Sequence, residues 1–323
     1  MSGKGYYLHN RLPLWVALHI HIIVAVAMSL SCLIGCSQRE LCYDHSHKVP
    51  VNIEFDWSDA PDAQPATMVV WFFPVDGSHG LRFELIGDGQ AARSSFDAVV
   101  KVPEGTYRMV CHNGSTEFNV ERGSDFNGYG VTTYAVEVLS VMNRNENAPL
   151  PFDMPVMSQA SPLFSHAMDE PMTVVNDGTT PQKVVFRPVE STLVCDVVVT
   201  DVKNLYPDVN VSAVITASDG WQAGSGKSSQ TCVAVPFAFK QSGPDELRGS
   251  VVLFGFCGEH KLRIYTSYKY YYDFDFTDQI TGHEHQHHIN IDISGINLPE
   301  RTSGGLSPGV SEWGETIDES VTM

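Results

Sequence analysis

Apolar and polar residues alternate with a period of two along most of this chain, and that pattern confines it to strands. Val49, Val51, Ile53, Phe55 and Trp57 alternate with Pro50, Asn52, Glu54 and Asp56, as expected of a strand with one buried face. Thr67–Phe73 is a denser apolar run, closed by Pro74 and Asp76-Gly77. Phe96–Val102 and Thr106–His112 flank Pro103-Glu104-Gly105, a turn between two strands. Val131–Leu139 is a further strand candidate. Beyond residue 35 no stretch holds a helical period.

The second half repeats the style. Lys183–Phe186, Thr192–Thr200, Asn210–Thr216, Cys232–Phe239, Ser250–Phe256 and Lys261–Tyr268 read as strands bounded by Gly, Pro, Asn or Asp. Many short strands at fairly even spacing predict an all-β protein built of β-sandwiches, not a parallel α/β sheet. From Asn143 to Ala160 periodicity gives way to Pro149, Pro151 and Pro155, so this stretch is either a domain boundary or a strap around one sheet. The expected division is an N-terminal sandwich over 48–160, a C-terminal sandwich over 161–298, and an acidic Gly/Ser/Pro-rich tail over 299–323 that is too polar to build a core.

The first 35 residues differ in kind. Lys4 and Arg11 precede an apolar run from Leu12 to Ile34, the layout of a secretory leader. An uncleaved membrane-spanning helix is the competing reading, since the run is long enough to cross a bilayer. His19 and His21 within the run, and Cys36 at its end, favour cleavage. Leu33-Ile34-Gly35-Cys36 resembles the lipobox of bacterial lipoproteins. That resemblance implies a signal peptide over 1–35, lipidation of Cys36, a tether over 36–47, and attachment to membrane lipid outside the cytoplasm. Several acyl chains on one cysteine would hold the chain permanently, each buried methylene contributing about 0.8 kcal/mol.

The formal net charge is −18, and the mature part is more acidic still because Lys4 and Arg11 leave with the leader. Such a surface repels nucleic acid and anionic head groups, so no nucleic-acid partner is expected. Of seven cysteines, Cys32 goes with the leader and Cys36 takes lipid. Cys42, Cys111, Cys195, Cys232 and Cys257 remain, with no CxxC spacing. One disulfide suits an exported protein; buried thiols acting as small apolar residues suit the same positions.

His283-Glu284-His285-Gln286-His287 matches the H-E-x-x-H pattern of zinc proteases, but that chemistry needs a helix to bring both imidazoles to one metal. Here the motif runs into His288–Ile293, a two-period strand, where positions four apart lie roughly 13 Å from each other. Residues two apart on a strand do share a face, so His285 and His287 form a weak candidate metal pair. Gly224-Ser225-Gly226-Lys227-Ser228 imitates the end of a phosphate-binding loop, but Trp221 stands where the motif needs glycine, and the stretch reads as a flexible loop. Tyr268, Tyr270, Tyr272, Phe274 and Phe276 fall on one parity: either a core stripe or an exposed platform for sugars. No catalytic arrangement and no cofactor motif is present, and the chain reads as a non-enzyme.

Val102-Pro103-Glu104-Gly105-Thr106-Tyr107-Arg108-Met109-Val110 is similar to the P-x-G-x-Y strand–turn–strand of fimbrillin-type proteins. Leu41–His45 leading into Ile53–Trp57, then Phe274–Ile280 and Trp313-Gly314, resemble an uncharacterised lipoprotein domain family related to fimbrial anchor subunits. The resemblance implies two tandem transthyretin-like, Greek-key sandwiches. In such fimbriae, shaft subunits lose their first strand to a protease that cuts after arginine, and a neighbour's strand fills the groove. Anchor subunits keep lipid and first strand. Arg39, Arg82 and Arg93 are the candidate cleavage arginines. The expectation is therefore a lipid-anchored fimbrial anchor or accessory subunit on the outer membrane, partnered by fimbrillin-like pilus subunits. The alternative is a glycan-binding surface lipoprotein using Tyr268–Tyr272 and Trp313.

Overall fold

The computed structural model describes residues 48–87, 98–114, 116–137, 152–176, 178, 181–267, 270–282 and 286–300, which are almost entirely β. The first half contributes β1 (Lys48–Phe55), β2 (Thr67–Pro74), β3 (Leu81–Ile86), β4 (Ala98–Pro103) and β5 (Gly105–Asn113). Short strands follow: β6 (Val120–Arg122), β7 (Gly130–Thr132), β8 (Phe164–Ala167), β9 (Met172–Val174), β10 (Gln182–Phe186) and β11 (Val189–Glu190). Next come β12 (Leu193–Thr200), β13 (Val211–Ser218), β14 (Gly220–Gln222), β15 (Lys227–Ser228) and β16 (Cys232–Ala238). The chain closes with β17 (Lys240–Gln241), β18 (Leu247–Leu253), β19 (Lys261–Thr266), β20 (Tyr271–Asp275), the single-turn helix α1 (Thr277–Ile280) and β21 (His288–Ser294).

Two sandwiches result. In the first, the sheet β10-β1-β4 faces the sheet β11-β8-β5-β2-β3, with β9 also on β5. Val51 and Ile53 meet Met68, Val70, Phe72 and Met109 in its core. In the second, β17-β18-β12-β21 faces β16-β13-β19-β20, around Cys195, Val197, Ile215, Leu262, Ile264 and Ile291. Inward positions are aliphatic at every second residue, which is why the period of two was legible. The aliphatic side chains gain roughly 1.5–3 kcal/mol each on burial.

The halves repeat one connectivity. β1 lies between antiparallel β4 and parallel β10; β12 lies between antiparallel β18 and parallel β21. β2 lies between β3 and β5, as β13 lies between β16 and β19. In each sandwich the first described strand is thus interior to its sheet, and a strand late in that half, β10 or β21, returns beside it in parallel.

This repeat moves the boundary. The division expected after residue 160 falls ahead of β8–β11, all of which complete the first sandwich: β8 and β9 on β5, β11 on β8, β10 on β1. Strands of two to five residues are too short to show a period, so sequence reading passed over most of them. The Pro103–Gly105 turn does join two strands, but it sends β4 and β5 into opposite sheets. The proline-rich stretch acts as a strap where it is described. Ala234 N donates to Pro155 O at 2.9 Å and Met157 N to Ala234 O at 3.0 Å, closing the edge of β16. Phe152 and Val156 cover Val214, Ala234 and Tyr265 on the outer face of that sheet.

A third cluster joins the sandwiches. Phe73 and Val110 on the outer face of the first pack with Tyr129, Val131, Trp221 and Phe254, which explains why β2 is apolar on both faces. Above them a small sheet, β15-β14-β7-β6, takes two strands from each half of the chain. β7 and β14 approach so closely that a Cβ on Gly130 would strike the carbonyl oxygen of Trp221, and one on Gly220 that of Val131. Glycine is required at both positions.

Candidate functional site

The first strand among the described residues, β1, fills the middle of its sheet. β1 pairs on both sides, from Lys48↔Pro103 to Ile53↔Ala98 on β4 and from Val51↔Gln182 to Phe55↔Phe186 on β10. Its inward side chains Val49, Val51 and Ile53 are buried, the last two fully. Asp56 N donates to Phe186 O at 2.8 Å, carrying the pairing one residue past the strand. Ion pairs Lys183–Glu54 at 2.6 Å and Arg187–Asp56 at 3.2 Å run along its solvent side. They are exposed and add little. Loss of β1 would leave a slot roughly 26 Å long, at 3.3 Å per residue, floored by the first core.

Of the candidate cleavage arginines, Arg82 lies within β3 rather than a loop. Its guanidinium is held by Glu121 at 2.8 Å and Glu84 at 3.0 Å. A residue held within a strand is a poor protease site. Arg39 and Arg93 lie outside the described residues.

Cys36 and His285 also lie outside the described residues. His287 is exposed, with Nδ1 3.2 Å from the Thr192 carbonyl oxygen. Its neighbour His288 takes a carboxylate partner instead, Nε2 to Asp196 Oδ2 at 2.7 Å. A hydrogen bond from Ser250, against the opposing effect of partial burial, and the contact with His288 hold the Asp196 carboxyl below its usual range. Among the described residues no group of three or more His, Cys, Asp or Glu side chains is placed to hold a metal ion. The run from His288 into a strand with Ile289, Ile291 and Ile293 buried is as the sequence implied.

The aromatic parity is a core stripe where it is described. Tyr272, Phe274 and Phe276 are buried in the second core and Tyr270 packs against it, while Tyr268 and Trp313 lie outside the described residues. Tyr272 Oη donates to the Asn297 carbonyl at 2.5 Å, so even its polar end is committed. The Gly224–Ser228 stretch closes the β14–β15 hairpin, with Lys227 and Ser228 forming β15 itself. Cys232 and Cys257 form a disulfide, whereas Cys111 and Cys195 are free and buried. Burial, with Asp196 adjacent, pushes the Cys195 thiol up to about 12, so it is inert at neutral pH. Among the described residues no helix is long and apolar enough to cross a membrane.

Sequence reasoning missed one recurrent device: side-chain amides that stand in for peptide groups at strand ends and edges. Gln279 donates to Asp292 O and accepts from Asp292 N, both at 2.8 Å. Asn119 does the same to Ser161 at 3.0 and 2.9 Å. Asn113 spans Pro162 O and Phe164 N, and Gln182 spans Thr173 O and Val175 N. Each satisfies a backbone donor and an acceptor that the sheet leaves open. No local signal marks them.

Residues 35–238 match the family described as Domain of unknown function (DUF5119). The chain belongs to this family. The match starts beside Cys36 and runs through the first sandwich to the end of β16. No curated protein matches the chain. Among solved structures, a protein from Bacteroides ovatus provisionally named an adhesin superposes with a TM-score of 0.59 at 17% identity, covering 83% of this chain and 98% of its own. A second provisional adhesin from Bacteroides ovatus gives 0.51 at 8%, covering 80% and 90%. A Bacteroides thetaiotaomicron protein provisionally named for polysaccharide binding (DUF1812) gives 0.50 at 12%, covering 77% and 92%. At these identities the likeness is one of fold, and it extends over nearly the whole of each neighbour.

Proposed function

We propose that this DUF5119 protein is a non-catalytic, lipid-anchored subunit of a surface fimbria. It acts as an anchor or accessory subunit, holding or capping the fibre at the outer membrane by β-strand addition. Acyl chains on Cys36 hold the bilayer, residues 36–47 form the tether, and the two sandwiches meet the fibre. Its partners are outer-membrane lipid and fimbrillin-like subunits.

The seating of β1 supports this reading. β1 is central in its sheet with Val51 and Ile53 fully buried. A subunit that keeps this strand after export has no groove there for a neighbour's strand, so it suits the end of a fibre rather than the shaft. Export is supported by the Cys232–Cys257 disulfide, since such bonds persist outside the reducing cytoplasm. The provisional naming of two structural neighbours as adhesins agrees with a surface role. The glycan-binding alternative is weakened, because Tyr272 is buried in the second core and Tyr270 and Tyr271 are half-buried against packed clusters.

Affinity capture of the native protein from outer membranes tests the proposal. Recovery of a fimbrillin-like subunit supports it; repeated recovery of only a porin-type sugar transporter contradicts it.

A further inference from the structure

The outer edge of the second sandwich carries a self-complementary strand with a lock on it. Among the described residues β21 pairs on one side only, with β12. Val194 N donates to His287 O at 2.8 Å, so the peptide groups of alternate residues Ile289, Ile291 and Ile293 point toward β12. Those of His288, Asn290, Asp292 and Ser294 therefore point outward. Gln279 confirms the parity, because it reaches both N and O of Asp292 from that outer side. The side chains of His288, Asn290 and Asp292 are exposed.

A second copy of β21 laid antiparallel about a two-fold axis at Asn290 would match at every rung. Asn290 would face Asn290, His288 would face the second copy's Asp292, and Ile289 would face Ile291 on the core side. The outward peptide groups at 288, 290 and 292 are those that such a register needs, each facing pair exchanging both its hydrogen bonds. Imidazole would stand opposite carboxylate on the solvent face, a favourable cross-strand pair that His288 would share with Asp196 of its own sheet. Closed two-fold pairing of identical edges is also the commonest symmetry of protein dimers. Against this stands the Gln279 amide, which already occupies the Asp292 peptide and so removes the outer rung at each end of the ladder.

We propose that β21 is a latent dimerisation edge whose partner is a second copy of this chain, and that Gln279 keeps it closed. The short helix α1 exists to deliver that amide: it holds Gln279 between β20 and β21, with Ile280 buried beneath as its anchor. Edges left open in this way invite pairing, and proteins commonly blunt them. Here the blunting is a single removable side chain. The inference is independent of the anchor reading.

The test uses the full chain in detergent and two variants, Gln279→Met, which keeps size without the amide, and Gln279→Glu, which keeps the acceptor alone. By sedimentation the wild type runs as a monomer, Gln279→Met shifts toward dimer by tenfold or more, and Gln279→Glu, which still accepts from Asp292 N, shifts by less. Adding Asn290→Pro, which deletes an outward N–H at an edge where proline is tolerated, returns the variants to monomer. In the register above the facing 290 Cα atoms lie about 5.5 Å apart, within disulfide range. Asn290→Cys therefore cross-links to itself in the Gln279→Met background and not alone, as read by mass spectrometry of the linked peptide. Folded Gln279 variants that stay monomeric overturn the proposal. So does a dimer that survives Asn290→Pro, or a wild type already joined through position 290.

Discussion

Trp71 and Glu121 are joined across the junction between the first sandwich and the small sheet: the indole Nε1 on β2 donates to Glu121 Oε2 on β6 at 2.8 Å. The same carboxylate oxygen accepts from Tyr129 Oη at 3.0 Å, and Oε1 takes the Arg82 guanidinium. Tyr129 in turn lies 2.6 Å from His112 Nε2, which is buried. Trp71 of β2, Arg82 of β3 and Tyr129 thus meet at one carboxylate beside the apolar cluster that unites the two sandwiches.

That carboxylate makes the junction acid-sensitive. Burial pushes the Glu121 carboxyl up, but Arg82, His112 and the Trp71 and Tyr129 hydrogen bonds together hold it below its ordinary 4.5. With the folded value below the unfolded one, its contribution is full above about pH 4.5 and is lost as pH falls through the folded value. The wild-type melting temperature should therefore drop in this acid window, while Glu121→Gln, destabilised by about 1–3 kcal/mol at neutral pH, melts with a flatter profile there. Scanning calorimetry between pH 3 and 7 reads the difference.

Trp221 is fully buried at the centre of the junction. Trp221→Ala should cost about 3–5 kcal/mol and lower the midpoint of urea unfolding. Val99→Ala, at a side chain that is 60% exposed, should stay within about 0.5 kcal/mol of wild type.

The disulfide spans 25 residues between the start of β16 and the loop after β18. Replacing both Cys232 and Cys257 with serine should cost roughly 3–4 kcal/mol by loop-closure entropy. Reductant should lower the wild-type melting temperature and leave the double variant unchanged.

Much of this architecture was written in the chain. β1 and β21 show clean alternation because one face of each meets a core and the other meets water. β2 and β13 read only as apolar runs, because the junction covers the outside of one and the strap covers the outside of the other. Sequence could not assign β8–β11 to the first sandwich, since pairing partners lie far away and the strands are too short to show a period. The amide clamps were invisible for a similar reason: Gln279 and Asp292 are 13 residues apart, Asn119 and Ser161 are 42, and nothing local distinguishes a clamping amide from a solvated one. The aromatic stripe was legible as a parity, but whether that parity faced inward needed the packed sheet. The disulfide partners needed the fold to choose among five cysteines.

Ile53 tests how firmly the first strand is seated. It is fully buried between β4 and β10, so Ile53→Ala should cost about 2–5 kcal/mol. Limited proteolysis should then release the segment before β2 faster than in wild type.

Most directly at stake is a chain held to the membrane at Cys36 with its first strand still in place. Intact-mass and peptide mass spectrometry of the protein extracted from outer membranes reads both at once. The predicted result is an N-terminal peptide beginning at acylated Cys36 and continuing unbroken through Lys48–Phe55. An unacylated product, or a mature N-terminus created by cleavage after Arg82 or Arg93, contradicts it.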